Sequence, residues 1–272
     1  MQSIDQSGTN GERLATQEWG VPENPRIVLV HGFTQSARSW SRLAPEFADA
    51  YCVVGVDLPG HGRSSDVPPA DLTQTARLVG EAGGRAIYVG YSLGGRVALT
   101  LALDQPELVN ALVLVSASPG ISDAAERALR RGSDRALAEC LDPSDGSEPE
   151  LSIAEFLDAW LARPLFRDLD EVAQDRASRI QNSPRSLAQS LRATGAGEMQ
   201  PLQDRLFELK MPVLCLAGER DLPYVERAKL MATEIGKNAQ SFIIGDAGHA
   251  LCFEQPTEFL RVVNAFLRSR MN

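Results

Sequence analysis

Val89-Gly90-Tyr91-Ser92-Leu93-Gly94-Gly95-Arg96 is the stretch on which the reading of the chain turns. The apolar run Ala86–Val89 leads into Gly-x-Ser-x-Gly, and the residues from Gly95 to Leu103 leave it with the pattern of a buried helix. Strand, sharp turn and helix form the setting in which this motif is a nucleophile elbow. The turn strains the serine backbone and exposes its hydroxyl at the sheet's edge. Side chains at Gly90 and Gly94 would collide with the neighbouring strand and helix. The backbone N–H of Leu93, at the helix start, is placed to donate to a developing oxyanion. Alone, Gly-x-Ser-x-Gly is a weak signal; the flanking pattern gives it meaning.

Upstream, Ile27-Val28-Leu29-Val30 is a continuous aliphatic run, expected to be a buried parallel strand. It ends in His31-Gly32-Phe33-Thr34, where the N–H of Phe33 would be a second oxyanion donor. Arg13–Trp19 alternates weakly, as an edge strand would. Ala37–Phe47 carries Trp40, Leu43, Ala44 and Phe47 at helical spacing and is expected to be one helix. Tyr51–Val56 is the next strand. Its end, Asp57-Leu58-Pro59-Gly60-His61-Gly62, is a tight turn in which a structural role for His61 outweighs a catalytic one.

Downstream, Asp71–Glu81 reads as a helix and Ala111–Val115 as a strand. From Ile121 to Leu206 the pattern is helical and charged, with loop-like interruptions at Leu141–Pro149 and Ser183–Pro184. Alternation then resumes: strand Pro212–Ala217, helix Tyr224–Ile235, strand Ser241–Ile244 and helix Pro256–Leu267. The expected fold is α/β, a mostly parallel twisted sheet with helices on both faces. Residues 1–120 and 207–272 would form the core domain, and 121–206 a helical lid inserted into it.

Composition narrows the function. The 272 residues are 43% hydrophobic, enough for a large single core. A net charge of −9 argues against nucleic acid or an anionic membrane as partner. The polar Met1–Gly20 has no signal-peptide core, and no apolar run approaches a membrane span. Residues Met1–Gly11 are expected to be disordered. Cys52, Cys140, Cys215 and Cys252 have no paired spacing, and the histidines and cysteines lack metal-ligand spacing. A cytoplasmic, disulfide-free, metal-free and cofactor-free monomer is the economical expectation.

A serine needs a histidine in reach and a carboxylate to orient it. His249 lies in Gly245-Asp246-Ala247-Gly248-His249-Ala250, a loop just after the last strand. The loop after the preceding strand offers Glu219 and Asp221. Asp221 is preferred, because Glu219 lies nearer the strand and suits structural contacts. Ser92, Asp221 and His249 then follow the chain order of the α/β-hydrolase fold.

Over nearly its full length the chain resembles the α/β-hydrolase superfamily. It looks most like the MenH family, the 2-succinyl-6-hydroxy-2,4-cyclohexadiene-1-carboxylate (SHCHC) synthases of menaquinone biosynthesis. The residues behind the closer likeness are Tyr91–Arg96, Trp160-Leu161-Ala162-Arg163-Pro164-Leu165-Phe166 and Thr194–Leu202. The resemblance implies an elimination of pyruvate, with the Ser92–His249–Asp221 array as base and the Phe33 and Leu93 N–H groups holding the enolate oxygen. It also implies that Tyr91 and Trp160 face the pocket, and that Arg130 and Arg179 match lid arginines that bind substrate carboxylates. Arg127, Arg131 and Arg176 are near alternatives to those two, and Trp160 is otherwise plain lid core.

The residues support an anionic substrate independently. Eleven arginines and no lysine lie between Ile121 and Leu206 of an acidic chain. Most are solvated surface charges; a few pointing inward would suit a polycarboxylate, which a guanidinium grips bidentately. Arg96, one helical turn after Ser92, is the leading candidate, against the alternative that it snorkels or is salt-bridged. Two other functions compete: a carboxylesterase or C–C hydrolase with Ser92 as nucleophile, and a catalytically silent ligand-binding protein on the same fold.

Overall fold

The computed structural model describes residues 13–270, so the expected disorder of Met1–Gly11 lies outside the described residues. Seven strands form one sheet: β1 (Thr16–Trp19), β2 (Arg26–Val30), β3 (Cys52–Val56), β4 (Ala86–Tyr91), β5 (Val109–Val115), β6 (Val213–Gly218) and β7 (Ala239–Ile244). They lie side by side in the order β1-β3-β2-β4-β5-β6-β7. The edge strand β1 is antiparallel to β3, and the remaining pairs are parallel.

Parallel strands covered on both faces need unbroken apolar runs, and β3, β4 and β6 are buried at every position. Successive side chains alternate between the two faces. Val28, Val30 and Leu112 point to a layer closed by helices α2 (Leu72–Gly83), α3 (Leu93–Asp104) and α9 (Leu222–Ile235). Ile27, Leu29 and Val113 point to the opposite layer, closed by α1 (Ala44–Ala48) and α11 (Pro256–Arg270).

The segment expected to be one helix over 37–47 is two pieces, a 3-10 turn at Ala37–Trp40 and then α1. Pro45 explains the break, since its ring clashes with the carbonyl four residues back and it lacks an N–H to donate. The apolar face is nevertheless the expected one: Trp40, Leu43, Ala44 and Phe47 are all buried.

Between β5 and β6 the described elements are helical: α4 (Ala124–Leu141), α5 (Ile153–Leu161), α6 (Glu171–Gln174), α7 (Arg176–Arg179) and α8 (Pro184–Thr194), with 3-10 turns. The starts are written in the sequence. Asp123, Ser152 and Ser183 each accept a backbone N–H of the first turn. This insertion has a small core of its own around Ala138, Phe156, Leu157, Leu187 and Leu191. It is tied to the strand ends by Asn182, whose amide donates to Thr34 O (2.7 Å) and accepts from Gly62 N–H (2.8 Å).

Candidate active site

Ser92 sits between β4 and α3 with φ 52°, a left-handed value that costs a non-glycine residue free energy and persists only where its surroundings enforce it. The Ser92 N–H is held by Val115 O at 2.9 Å. A Cβ on Gly90 would strike the Gly94 carbonyl, and one on Gly94 the Val30 carbonyl. The two glycines thus let helix and strands approach closely enough to force the turn.

Asp221 directly precedes α9, and His249 lies between β7 and the short helix α10 (Leu251–Glu254). Ser92 Oγ lies 3.0 Å from His249 Nε2, and His249 Nδ1 lies 2.6 Å from Asp221 Oδ2. His249 and Asp221 are buried, at 2% and 7% exposure. One tautomer satisfies both contacts: Nδ1–H donates to the carboxylate, and Nε2 accepts from the serine hydroxyl. Glu219, the other carboxylate weighed from sequence, accepts the Asp246 N–H at 3.1 Å and so braces the loop that carries His249.

Phe33 and Leu93 line the cavity into which Ser92 opens. The Phe33 N–H makes no backbone bond among the described residues, and the Leu93 N–H belongs to a first helical turn, whose donors have no intrahelical partner. The turn bearing Phe33 is fixed from below. Gly32 N–H donates to Gln35 Oε1 (3.0 Å), and Gln35 N–H returns a bond to Gly32 O (3.2 Å). His31 Nε2 accepts the Leu58 N–H at 3.0 Å, and the His61 ring packs edge-on against Phe33 with centroids 5.6 Å apart. His61 Nδ1 lies 3.0 Å from Pro59 O.

Burial holds both of these histidines neutral. Desolvation lowers His31 to about 4, and desolvation with the neighbouring His31 lowers His61 to about 3. A histidine whose folded value is depressed takes up its proton more readily in the unfolded chain, which titrates near 6.5. The pair therefore costs no stability above pH 6.5 and withdraws it progressively as the pH falls from 6.5 toward 4 and 3. Urea midpoints measured across that range should fall with pH, and less steeply in His61→Phe, which has lost one of the two groups.

The cavity, of about 180 Å³, lies between the strand ends and the insertion. Three arginines reach it. Arg96, from α3, donates from Nη1 to the Thr194 carbonyl of α8 at 2.8 Å. Arg179, from α7, is 2% exposed; it donates from Nε to Gln174 O (2.6 Å) and from Nη1 to Thr34 Oγ1 and Phe33 O. Desolvation pulls both guanidinium values down to about 10, and neither forms an ion pair with a carboxylate among the described residues. Arg130 differs: its Nε lies 2.9 Å from Oδ1 of the buried Asp134, one turn along α4.

Tyr91 and Trp160 line the same cavity. Burial raises the Tyr91 hydroxyl well above its ordinary value, so it is a neutral donor. Trp160 packs with Phe33 and Phe156 and carries the Arg163 guanidinium 4.4 Å from its ring centroid. Of the alternative arginines, Arg127 bonds the Ile121 carbonyl (2.7 Å), Arg131 pairs with Glu198 (3.2 Å) and Arg176 with Asp158 (2.7 Å). None of the three lines the cavity. Several lining residues escaped the sequence reading, Tyr224 and Asp134 among them. Tyr224 stands edge-on to His249 with centroids 4.6 Å apart, and its signal was its place in the first turn of the helix that Asp221 precedes. Asp134 was masked by the many surface carboxylates of the insertion.

Among the described residues no set of three or more His, Cys, Asp or Glu side chains is placed to hold a metal, and no helix is long and apolar enough to cross a membrane. What the site offers is a hydroxyl, an imidazole with an oriented proton, two backbone donors and desolvated cations around one cavity. Such a set serves proton transfer beside a carbonyl, or acyl transfer through the serine.

The chain belongs to the alpha/beta hydrolase family, whose sequence model matches residues 27–262. Within that family it groups with the MenH proteins. It is 30% identical to the 2-succinyl-6-hydroxy-2,4-cyclohexadiene-1-carboxylate synthase of Enterobacter sp. (strain 638), over 93% of this chain and 95% of that one. The solved structure of MenH from S. aureus is 34% identical and superposes with a TM-score of 0.84, covering 96% of this chain and 99% of that chain. A malate-bound thermophilic esterase from Thermogutta terrifontis is 25% identical with a TM-score of 0.80, each chain fully covered.

Proposed function

We propose that this chain is an SHCHC synthase acting in menaquinone biosynthesis. It would convert 2-succinyl-5-enolpyruvyl-6-hydroxy-3-cyclohexene-1-carboxylate to SHCHC and pyruvate. A proton leaves ring carbon 2, beside the succinyl ketone, for the Ser92–His249 pair. The electrons form the bond between carbons 2 and 3, the ring double bond moves to carbons 4 and 5, and the carbon 5–oxygen bond breaks. Pyruvate departs as its enolate and is protonated. Charge gathers meanwhile on the ketone oxygen, where the Phe33 and Leu93 N–H groups serve as donors. Asp221 fixes the imidazole tautomer and offsets its charge once protonated.

The observation that carries this reading is that Arg96 and Arg179 are desolvated, form no ion pair with a carboxylate among the described residues and share one cavity with Ser92. Burying a cation without a counter-ion is costly, and a substrate with three carboxylates supplies what is missing. The synthase names of its relatives agree with this reading. A second reading, a serine hydrolase, draws on the 3.0 Å contact between Ser92 and His249, which suits acyl transfer equally well.

Purified protein incubated with the enolpyruvyl substrate, with pyruvate followed by lactate dehydrogenase, tests the choice. Release of one pyruvate per SHCHC formed is the expected result. Ester hydrolysis without pyruvate release would replace the synthase by the hydrolase. Tight ligand binding with neither activity would make the chain a binding protein.

A further inference from the structure

We propose that Glu254 is a positioning residue for His249, holding its backbone from both sides and biasing its imidazole toward the protonated state. This rests on the reading of His249 as the proton acceptor and adds a group to it. Glu254 closes α10, five residues after the histidine. Its carboxylate accepts the Gly248 N–H through Oε2 at 2.5 Å and the Ala250 N–H through Oε1 at 2.9 Å. The two N–H groups that flank His249 in sequence therefore converge on one side chain. A bidentate, charge-assisted clamp of this kind fixes the peptide planes on either side of the ring and leaves it few orientations.

The local packing is built for it. An added Cβ at Gly248 would lie 3.3 Å from both Glu254 oxygens and 3.2 Å from Asp168 Oδ2, so a larger residue there would press the carboxylate back by a few tenths of an ångström. On the other side a Cβ at Gly218 would strike the Gly248 carbonyl, so the loop rests directly on the end of β6. The clamp is half-buried, and removal of one partner would leave two inward N–H groups without an acceptor.

Charge follows from the same geometry. Facing Glu254 are His249, Asp168 from the insertion, the Tyr91 hydroxyl of β4 and the Cys252 thiol of its own helix. Arg220 reaches Asp168 at 3.3 Å and Asp246 at 2.9 Å and so screens that carboxylate. Desolvation, the first cause, raises Glu254 above its ordinary value, while the two N–H donors pull it back. Its negative charge favours the imidazolium that forms when the ring takes the proton, beside the contribution of Asp221.

The test is the titration of the His249 imidazole, read by proton NMR on the full chain in wild type, Glu254→Gln, Glu254→Asp and Glu254→Ala. Glutamine keeps one acceptor oxygen, turns its NH2 toward the other N–H and removes the charge. It should move the His249 titration and the acid limb of the rate profile together to lower pH. Alanine should do the same and cut kcat about ten-fold further, with KM little changed. Aspartate keeps the charge on a shorter stem and should restore the imidazole titration more than the rate. An unchanged His249 pKa in the glutamine variant, whatever happens to its melting temperature, would make Glu254 a structural cap and overturn the proposal. The imidazole can be titrated without the enolpyruvyl substrate. Failure here therefore leaves the synthase reading standing, and failure of pyruvate release in wild type does not touch the clamp.

Discussion

Alanine at Ser92 or at His249 should each lower pyruvate release by about 10²–10⁴-fold, the range that a positioned general base contributes. The double variant should lose little more. The 3.0 Å bond between Ser92 Oγ and His249 Nε2 makes the two one proton-transfer unit, and once either is gone the other has nothing to act through. Single-turnover rates for wild type, both single variants and the double variant measure this directly. Losses that multiply would mean the groups act in separate steps. A loss nearer about 10⁶-fold in each single variant, the scale of a covalent serine enzyme, would favour the acyl-enzyme chemistry of the hydrolase reading.

Arg96→Ala should cut kcat/KM for the enolpyruvyl substrate by about thirty-fold to several thousand-fold. That corresponds to the roughly 2–5 kcal/mol of a desolvated charge-assisted contact. The guanidinium has one N–H committed to Thr194 O, and no carboxylate among the described residues forms an ion pair with it. Arg96→Lys should recover little, since an ammonium cannot hold the Thr194 carbonyl and present a fork to a carboxylate together. Hydrolysis of a small neutral ester is the control. It should fall far less, because no group in that ester needs the cation. If both activities fall together by the same factor, Arg96 holds α8 in place rather than holding substrate.

The core was legible because parallel strands leave long aliphatic runs. Ile27–Val30 and Ala111–Val115 each appear as strands that reach a residue or two beyond the bounds read from sequence. The elbow was legible because Gly90 and Gly94 have one steric reason to be there. What failed was the long helix over 37–47, where apolar periodicity outweighed the effect of Pro45 in the reading. Periodicity reports which face is buried and not whether the backbone between is continuous. Arg96 was legible by its place one turn after Ser92, whereas the arginines of the insertion were legible as a group, with Arg130 and Arg179 singled out by resemblance alone. An arginine paired one turn away, as Arg130 is with Asp134, looks in sequence like Arg179, which is packed under Thr34. Telling them apart needs the third dimension, and so does seeing that Tyr224 meets His249.

The two arginines of the cavity that form no ion pair among the described residues are anchored crosswise. Arg96 springs from the core and is tethered to a carbonyl of the insertion, while Arg179 springs from the insertion and is tethered to Phe33 and Thr34 of the core. The insertion is therefore not an exchangeable cassette. A chimera carrying the equivalent helices of an esterase would remove Arg179 and at the same stroke strip Arg96 of its Thr194 acceptor, leaving a desolvated charge pointing at a foreign wall. Redesign of this pocket for neutral substrates has to begin in α3, at Arg96, before the helices above it are changed.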